Sequence, residues 1–371
     1  MLTLRRIFVV IVLALLVAAC APSGSSGTSS TPTPASNSTV VTTTPNHVAS
    51  TPTHVGTTPQ ASATAKPGAS PTPVVDTSPL TCAANILGSH PDANCQTPRS
   101  LRVAYGVESL MQRGYTGSGQ TVVDIVSFGS PILQRDMNIF DQQFGLPPIA
   151  IQVIAPIGTA PFNPANKLMQ GWAVETELDV QIIHAIAPGA HIVVLTSPVA
   201  EVEGTTGLPQ FLQLEQYAIN HHLGSIISQS FGASEATLKD SASQQQIQQW
   251  DAFYKQATTQ QGMTFLGASG DNGATDFTDA NASVLATTPT TSFPTDDPWV
   301  TSTGGTTLDR TQNGFAEMAW NNSLGASGGG FSAFFSTPSY QQSLSTVVQQ
   351  LLNKRRGVPD VAADADPNTG L

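Results

Sequence analysis

The chain has 371 residues, 40% of them hydrophobic and 11% charged, with 14 basic against 25 acidic residues and a formal net charge of −11. That is enough apolar material for a sizeable core and one large domain with appendages, while the acidic balance and the lack of any Lys or Arg cluster in the body of the chain exclude nucleic acid as a partner. Few charges among abundant Ser, Thr, Gln and Asn leave few ion pairs for acid to break, a composition suited to low pH.

Arg5 and Arg6 precede an apolar run from Ile7 to Ala19 that is too short to span a bilayer comfortably and reads as an export signal over residues 1–19. Its end, Val17-Ala18-Ala19-Cys20, resembles a bacterial lipobox, in which cleavage before Cys20 lets a diacylglycerol be attached to the thiol. A membrane anchor at Cys20 is therefore expected, a plain signal with an incidental cysteine being the alternative. The stretch to residue 80 is nearly all Ser, Thr, Pro, Ala and Gly, which cannot bury enough surface to fold, and reads as a disordered tether. With Cys20 spent on lipid, Cys82 and Cys95 remain as a pair closing a short loop over 81–97, in a compartment that permits a disulfide; the alternative is two free thiols.

Beyond Thr97 the pattern alternates. A strand is predicted at Thr121 to Val126, a helix near Arg135 to Phe144, a helix from Trp172 to Ile186 ending at Pro188-Gly189, and a strand at His191 to Thr196. A helix at Phe211 to His222, a strand at Ser225 to Ser230, a helix at Ile247 to Thr259 and a strand at Met263 to Ala268 follow. Strands separated by helices imply an α/β domain whose largely parallel sheet has helices on both faces, with sites beyond the strands' carboxyl ends.

The helix over Trp172 to Ile186 puts Glu175 and Asp179 on the same face as Leu178, Ile182, Ile183 and Ile186. Like charges at i, i+4 repel, and on an apolar face each also loses hydration, so a functional pair is the economical explanation. Glu177 points the other way with Gln181 and reads as solvated. Two segments sit at strand ends: Ser230-Phe231-Gly232, and Ala268-Ser269-Gly270-Asp271-Asn272-Gly273, whose Asp271 is either a turn residue or a third carboxyl converging on the helix pair.

Other constellations fare worse. Gly325-Ala326-Ser327-Gly328-Gly329 fits a Gly-x-Ser-x-Gly nucleophile elbow, yet no His follows it, the last being His222. Asp124, His184 and Ser327 stand in the order of a subtilisin-type triad, but His184 falls on the polar side of its helix without a Gly-rich setting. The glycine run reads more simply as a loop close to a substrate or another element. Neither His221-His222 nor the cysteines show metal-ligand spacing, and Asp360, Asp364 and Asp366 read as a solvated acidic turn.

With these pieces placed, the chain resembles the sedolisins, the serine-carboxyl peptidases, over roughly Pro98 to Gly370. The matching segments come in family order: Leu101 to Gly106, Gly117 to Val122, Phe140 to Pro147, Glu175 to Val180, Ala187 to Ala190, and Ser230-Phe231-Gly232 with Glu235. Ser269-Gly270-Asp271, Phe293-Pro294, Gly304-Gly305-Thr306, Gly328 to Ser332 and Arg356 to Asp364 close the series. The resemblance implies a subtilisin-like fold over 98–371 in which a Glu replaces His as the base for a Ser nucleophile. Glu175 would be that base, Asp179 would orient it, and Asp271 would donate from a protonated carboxyl to the oxyanion. Ser230, Phe231 and Gly232 would line a peptide-binding cleft with Ser327, Gly328 and Gly329. A carboxylate base with a reference pKa of about 4.3 works in acid, where imidazole is already protonated.

The family's nucleophile lies in a Gly-Thr-Ser segment downstream of the Pro-Asp-Val-Ala-Ala-Asp stretch, and its calcium site lies further on; both are expected beyond Leu371. Calcium is thus the family's cofactor without a site in this sequence, and polypeptides are the implied substrates. Two readings follow: an acid protease represented without its C-terminal part, or a non-catalytic peptide-binding lipoprotein or inactive fragment.

Overall fold

The computed structural model describes residues 95–370. The signal over 1–19, Cys20, the tether and Cys82 lie outside those residues, while Cys95 is disulfide-bonded.

Two short helices come first, α1 (Pro98–Ala104) and α2 (Val107–Met111). A reciprocal cap starts α1, in which Ser100 N donates to Thr97 Oγ1 at 3.1 Å and Thr97 N to Ser100 Oγ at 2.7 Å. The alternating body follows with β1 (Thr121–Ser127), α3 (Leu133–Phe144), β2 (Gln152–Ile154), α4 (Lys167–Ile186), β3 (His191–Ser197), α5 (Leu208–Asn220) and β4 (Ile226–Gln229). Next come β5 (Ala233–Ser234), α6 (Ser241–Gln261), β6 (Thr264–Ala268), β7 (Ser292–Phe293), β8 (Val300–Thr311) and β9 (Gly314–Ala319). The last elements are β10 (Gly330–Ser336), α7 (Thr346–Leu352), β11 (Arg355–Val358) and β12 (Val361–Asp364).

Eight strands form one sheet in the order β12-β8-β6-β4-β1-β3-β2, with β9 added beside β8. All neighbours in that row run parallel, and only the β8–β9 hairpin is antiparallel. Helices flank the sheet: α4 and α5 both rest on β1 and β3, with α1 and α3 beside α4 and α6 beside α5. The expected α/β class and parallel sheet are therefore present. A strand covered on both faces must be apolar nearly throughout, and β1 is buried at every residue from Val122 to Ser127. Because the strands are parallel, β1, β3, β4 and β6 all end on one edge, which is where Ser230 and Asp271 emerge.

Element bounds depart from the expected ones where polar capping sequence carries a helix past its apolar stripe. The helix expected from Trp172 begins at Lys167, because Asn166 Oδ1 accepts from Leu168 N at 3.0 Å and Met169 N at 3.3 Å. The helix expected from Ile247 begins at Ser241, capped by Asp240.

Of the three C-terminal acids Asp360 is exposed, but Asp364 and Asp366 are not a solvated turn. Asp364 and Asp366 are 0% and 3% exposed. Thr369 Oγ1 donates to Asp364 Oδ1 at 2.7 Å, and Thr307 Oγ1 and Asn322 Nδ2 donate to Asp366 Oδ2 at 2.7 and 2.8 Å. Asp360 receives the buried Arg356 guanidinium and Ser302 N. Thr369 satisfies Asp364 from five residues away, but Thr307, Asn322 and Ser302 come from distant parts of the chain, which a count of acids in the sequence does not reveal.

Since Asn166 seats the helix that carries Glu175 and Asp179, Asn166→Ala should lower stability by about 1 kcal/mol. Urea unfolding followed by circular dichroism measures this, with the midpoint falling and the slope unchanged.

Candidate active site

Glu175 and Asp179, one turn apart on α4, are 2% and 1% exposed. Directly beneath them β1 supplies Asp124, 0% exposed, which hydrogen-bonds Asp179. Ser230, the first residue past β4, donates its hydroxyl to Asp179 Oδ1 at 2.6 Å. Asp271, in the turn after β6, contributes charge to the surroundings of Glu175. Strand ends and one helix face thus bring Asp124, Glu175, Asp179 and Asp271 together, and among the described residues no ion pair reaches Asp124, Glu175 or Asp179.

Electrostatics follows from that geometry. Burial is the largest influence on Glu175 and pushes its titration well up, with the charges of Asp179, Asp271 and Asp124 adding to the effect. Asp124 is pushed up by burial first and then by the Asp179 charge. Asp179 is raised by burial to about 7, less than burial alone would give because Ser230 and Asp124 donate to it. Both acids of this contact are pushed up, so the Asp124–Asp179 pair is held together by a shared proton. Without that proton both Asp124 oxygens and Asp179 Oδ2 would be buried and unsatisfied.

The glycine-rich loop packs against the same edge. Gly328 N donates to the Gly270 carbonyl at 2.6 Å, Ser269 Oγ to the Gly328 carbonyl at 2.9 Å, and Ala326 N to the Asp271 carbonyl at 2.9 Å. A Cβ on Gly328 would overlap the Ser269 carbonyl, so this approach requires glycine. Ser327 and Gly329 flank that contact, and Ser327 Oγ accepts from Gly305 N at 2.9 Å.

Three readings change. His184 is 0% exposed rather than on a polar side, with Nε2 at 2.9 Å from the Pro147 carbonyl and 3.1 Å from Asp141 Oδ1. The segment after α3 folds over that flank of α4, which a helical wheel does not show, and His184, Asp124 and Ser327 each engage different partners. Glu177 is half-buried and accepts from Ser130 Oγ at 2.6 Å. Phe231 is 1% exposed, its ring packed edge-on against Phe211 at 4.5 Å and near Trp250, so only its backbone is available to a cleft beside Ser230 and Gly232.

Asp124 was weighed in the sequence only as part of a serine triad, and its place beside Asp179 was missed. The signal was there: an acid inside Val122-Val123-Asp124-Ile125-Val126 is as anomalous as two acids on an apolar helix face. Glu201 and Glu203, which accept from Gly232 N and Ser234 N, were also missed. They lie in a loop without periodicity. Among the described residues no group of three or more His, Cys, Asp or Glu is arranged to hold a metal ion.

A parallel α/β sheet with buried carboxyls gathered where its strands end defines the class, and comparison with known proteins agrees: the chain is homologous to the sedolisin, kumamolisin and tripeptidyl-peptidase family. No protein-family model matches it. Kumamolisin from Bacillus sp. (strain MN-32) is 30% identical over 281 residues, which is 74% of this chain and 46% of that protein. Sedolisin from Pseudomonas sp. (strain 101) is 31% identical over 264 residues, 68% of this chain and 42% of that protein. The chain therefore spans less than half the length of these relatives. The solved structure of Pseudomonas sedolisin (serine-carboxyl proteinase) complexed with two molecules of pseudo-iodotyrostatin is 28% identical, with a TM-score of 0.60, and the match covers 75% of this chain and 73% of that one. The architecture is thus the subtilisin-like α/β fold.

Burial raises Asp179 and Asp364 to about 7 and Glu203 and Asp297 to about 8. A carboxyl whose folded pKa exceeds its unfolded value holds its proton more tightly when folded. Its contribution is complete below about pH 4 and is lost as pH rises through about 7 to 8. Thermal unfolding should therefore show a higher midpoint at about pH 4 than at about pH 8, and an equal or reversed order would contradict these environments.

Proposed function

We propose that this chain is part of a serine-carboxyl peptidase that hydrolyses peptide bonds in acid, the nucleophilic serine being supplied by sequence that follows Leu371. The observation that carries the reading is the buried Glu175–Asp179–Asp124 series, in which Asp179 is engaged by Ser230 and Asp124 while among the described residues no cation pairs with Glu175. That leaves Glu175 as the group able to accept a proton from a serine hydroxyl.

In this reading Glu175 takes the serine proton as the oxygen attacks the peptide carbonyl. It returns the proton to the amine as the C–N bond breaks, leaving an acyl-enzyme that water then cleaves. A base pushed up from its ordinary range is a stronger acceptor, provided the Glu175–Asp179 pair has not taken its second proton. Asp179 orients Glu175, and Asp124 holds Asp179 through the proton they share. Asp271 donates from a protonated carboxyl to the oxyanion, and the Ser269–Gly328 contact with Ser230 and Gly232 walls the peptide cleft. The rate then needs one deprotonated carboxyl and one protonated one, which gives a bell-shaped dependence on the acid side of neutrality. Polypeptides are the substrates, and the signal with Cys20 points to export with a lipid anchor.

The test is the gene read through past Leu371, assayed on an unfolded polypeptide at about pH 4. Glu175→Ala should lower kcat about 10²- to 10⁴-fold and Asp271→Ala about 10²- to 10³-fold, with circular dichroism unchanged. Asp271→Asn, a donor at every pH, should extend activity toward neutral. Retained cleavage by both alanine variants, or peptide binding without cleavage by the wild type, would overturn the reading.

A further inference from the structure

A second pair of buried carboxyls lies away from the first. Glu235, at the turn that follows β5, is 2% exposed, and Asp296, in the turn after β7, is 0% exposed. The Glu235 carboxylate gathers the start of β10: Ser332 Oγ donates to Oε1, Ala333 N donates to Oε2 at 2.7 Å and Oε1 at 3.0 Å, and Phe334 N reaches Oε1 at 3.3 Å. Asp296 hydrogen-bonds the same carboxylate and receives Thr291 Oγ1 on its Oδ2 at 3.1 Å. Three chain segments distant in sequence meet at this pair: the β5 turn, the β7 turn and β10. The β5–β7 bridge and Glu235 N donating to the Thr291 carbonyl at 2.9 Å join the two turns, and what holds β10 to them is the Phe335 ring stacked on Phe293 together with the polar contacts at these carboxyls.

Two carboxyls in hydrogen-bond contact need a proton between them, because two carboxylates repel and neither can donate. The charged neighbours do not remove that need. Lys239 and Arg355 line a cavity of about 300 Å³ beside Glu235 but are exposed, and neither forms an ion pair with either acid among the described residues. Glu203 faces Ser234 and Thr237, Asp276 faces Ser292, and Asp297 faces Trp299 with Arg356 and Asp251.

We propose that Glu235 and Asp296 share one proton and act as an acid-held clasp, fastening β10, and with it the Gly328–Gly330 loop, to the β5–β7 pair while that proton is present. Asp296 O–H donates to the Glu235 carboxylate; when the proton leaves to solvent the acids repel, and the Ala333 and Phe334 amides lose their acceptor. Burial first, and the Glu235 charge second, push the Asp296 titration up, so the clasp holds in acid and releases as pH rises. Its effect on catalysis rests on the peptidase reading, but the clasp itself does not.

Hydrogen–deuterium exchange of the full chain, read by mass spectrometry at about pH 4 and about pH 7.5 and corrected for intrinsic rates, decides the matter without a protease assay. In the wild type, protection across Gly330–Ser336 should fall at least about tenfold at the higher pH while β1 and β4 keep theirs. Asp296→Asn and Glu235→Gln each replace one acid by a neutral donor of the same shape, and either should abolish the pH dependence. Equal protection of the wild type at both pH values overturns the clasp. So does a loss shared equally by β1 and β4, or a pH response retained by both variants.

Discussion

A carboxylate taken out of water without a cation nearby costs several kcal/mol even after relaxation, and this chain buries many of them. On β1 and α4 the cost is met by neutralisation and sharing. Asp124 and Asp179 share a proton between them, and Ser230 brings a further donor to Asp179. Much of the remaining structure can be understood as the scaffold that keeps this geometry dry. The sheet seals Asp124 from below, and α4, seated by Asn166, holds Glu175 and Asp179 at helical spacing above it. The turns after β4 and β6 then close the edge.

The same solution recurs with different partners. Glu215, 0% exposed, is held by Gln229 Nε2 at 2.5 Å, and Asp364 is held by Thr369. Neutral donors in place of Lys and Arg explain how a chain with 25 acidic and 14 basic residues folds around its acids instead of displaying them all. They also tie the fold to its surroundings, because a neutral donor does not hold a carboxylate as strongly as a guanidinium does. The molecule binds protons as part of folding.

How much of this could be read beforehand depended on periodicity. The alternation of apolar strands with amphipathic helices predicted the α/β class, and two acids at i, i+4 on an apolar face marked Glu175 and Asp179. Elements without that contrast escaped. β8 is a Thr- and Gly-rich run of 12 residues, β9 is almost wholly exposed, and β2 has three residues, so none shows a clean period. Burial by a neighbouring segment escaped as well. His184 is covered by Pro147 and Asp141, and Phe231 turns into a cluster with Phe211 and Trp250; such contacts are made by residues distant in the chain. Asp124 was legible in principle, since its strand is otherwise apolar, but its partner depended on which helix lay across it.

The strand order has a consequence for how the sheet can be assembled. Starting from β1 at the centre, β3 adds on one side and takes β2 as its outer neighbour. On the other side β4, β6, β8 and β12 add one after another in chain order. Each of those strands therefore meets a partner already made before it emerges. A polypeptide synthesised or translocated from its N-terminus can grow the β4 side of this sheet outward by accretion, whereas β2, made before β3, gains its partner only when β3 settles between it and β1.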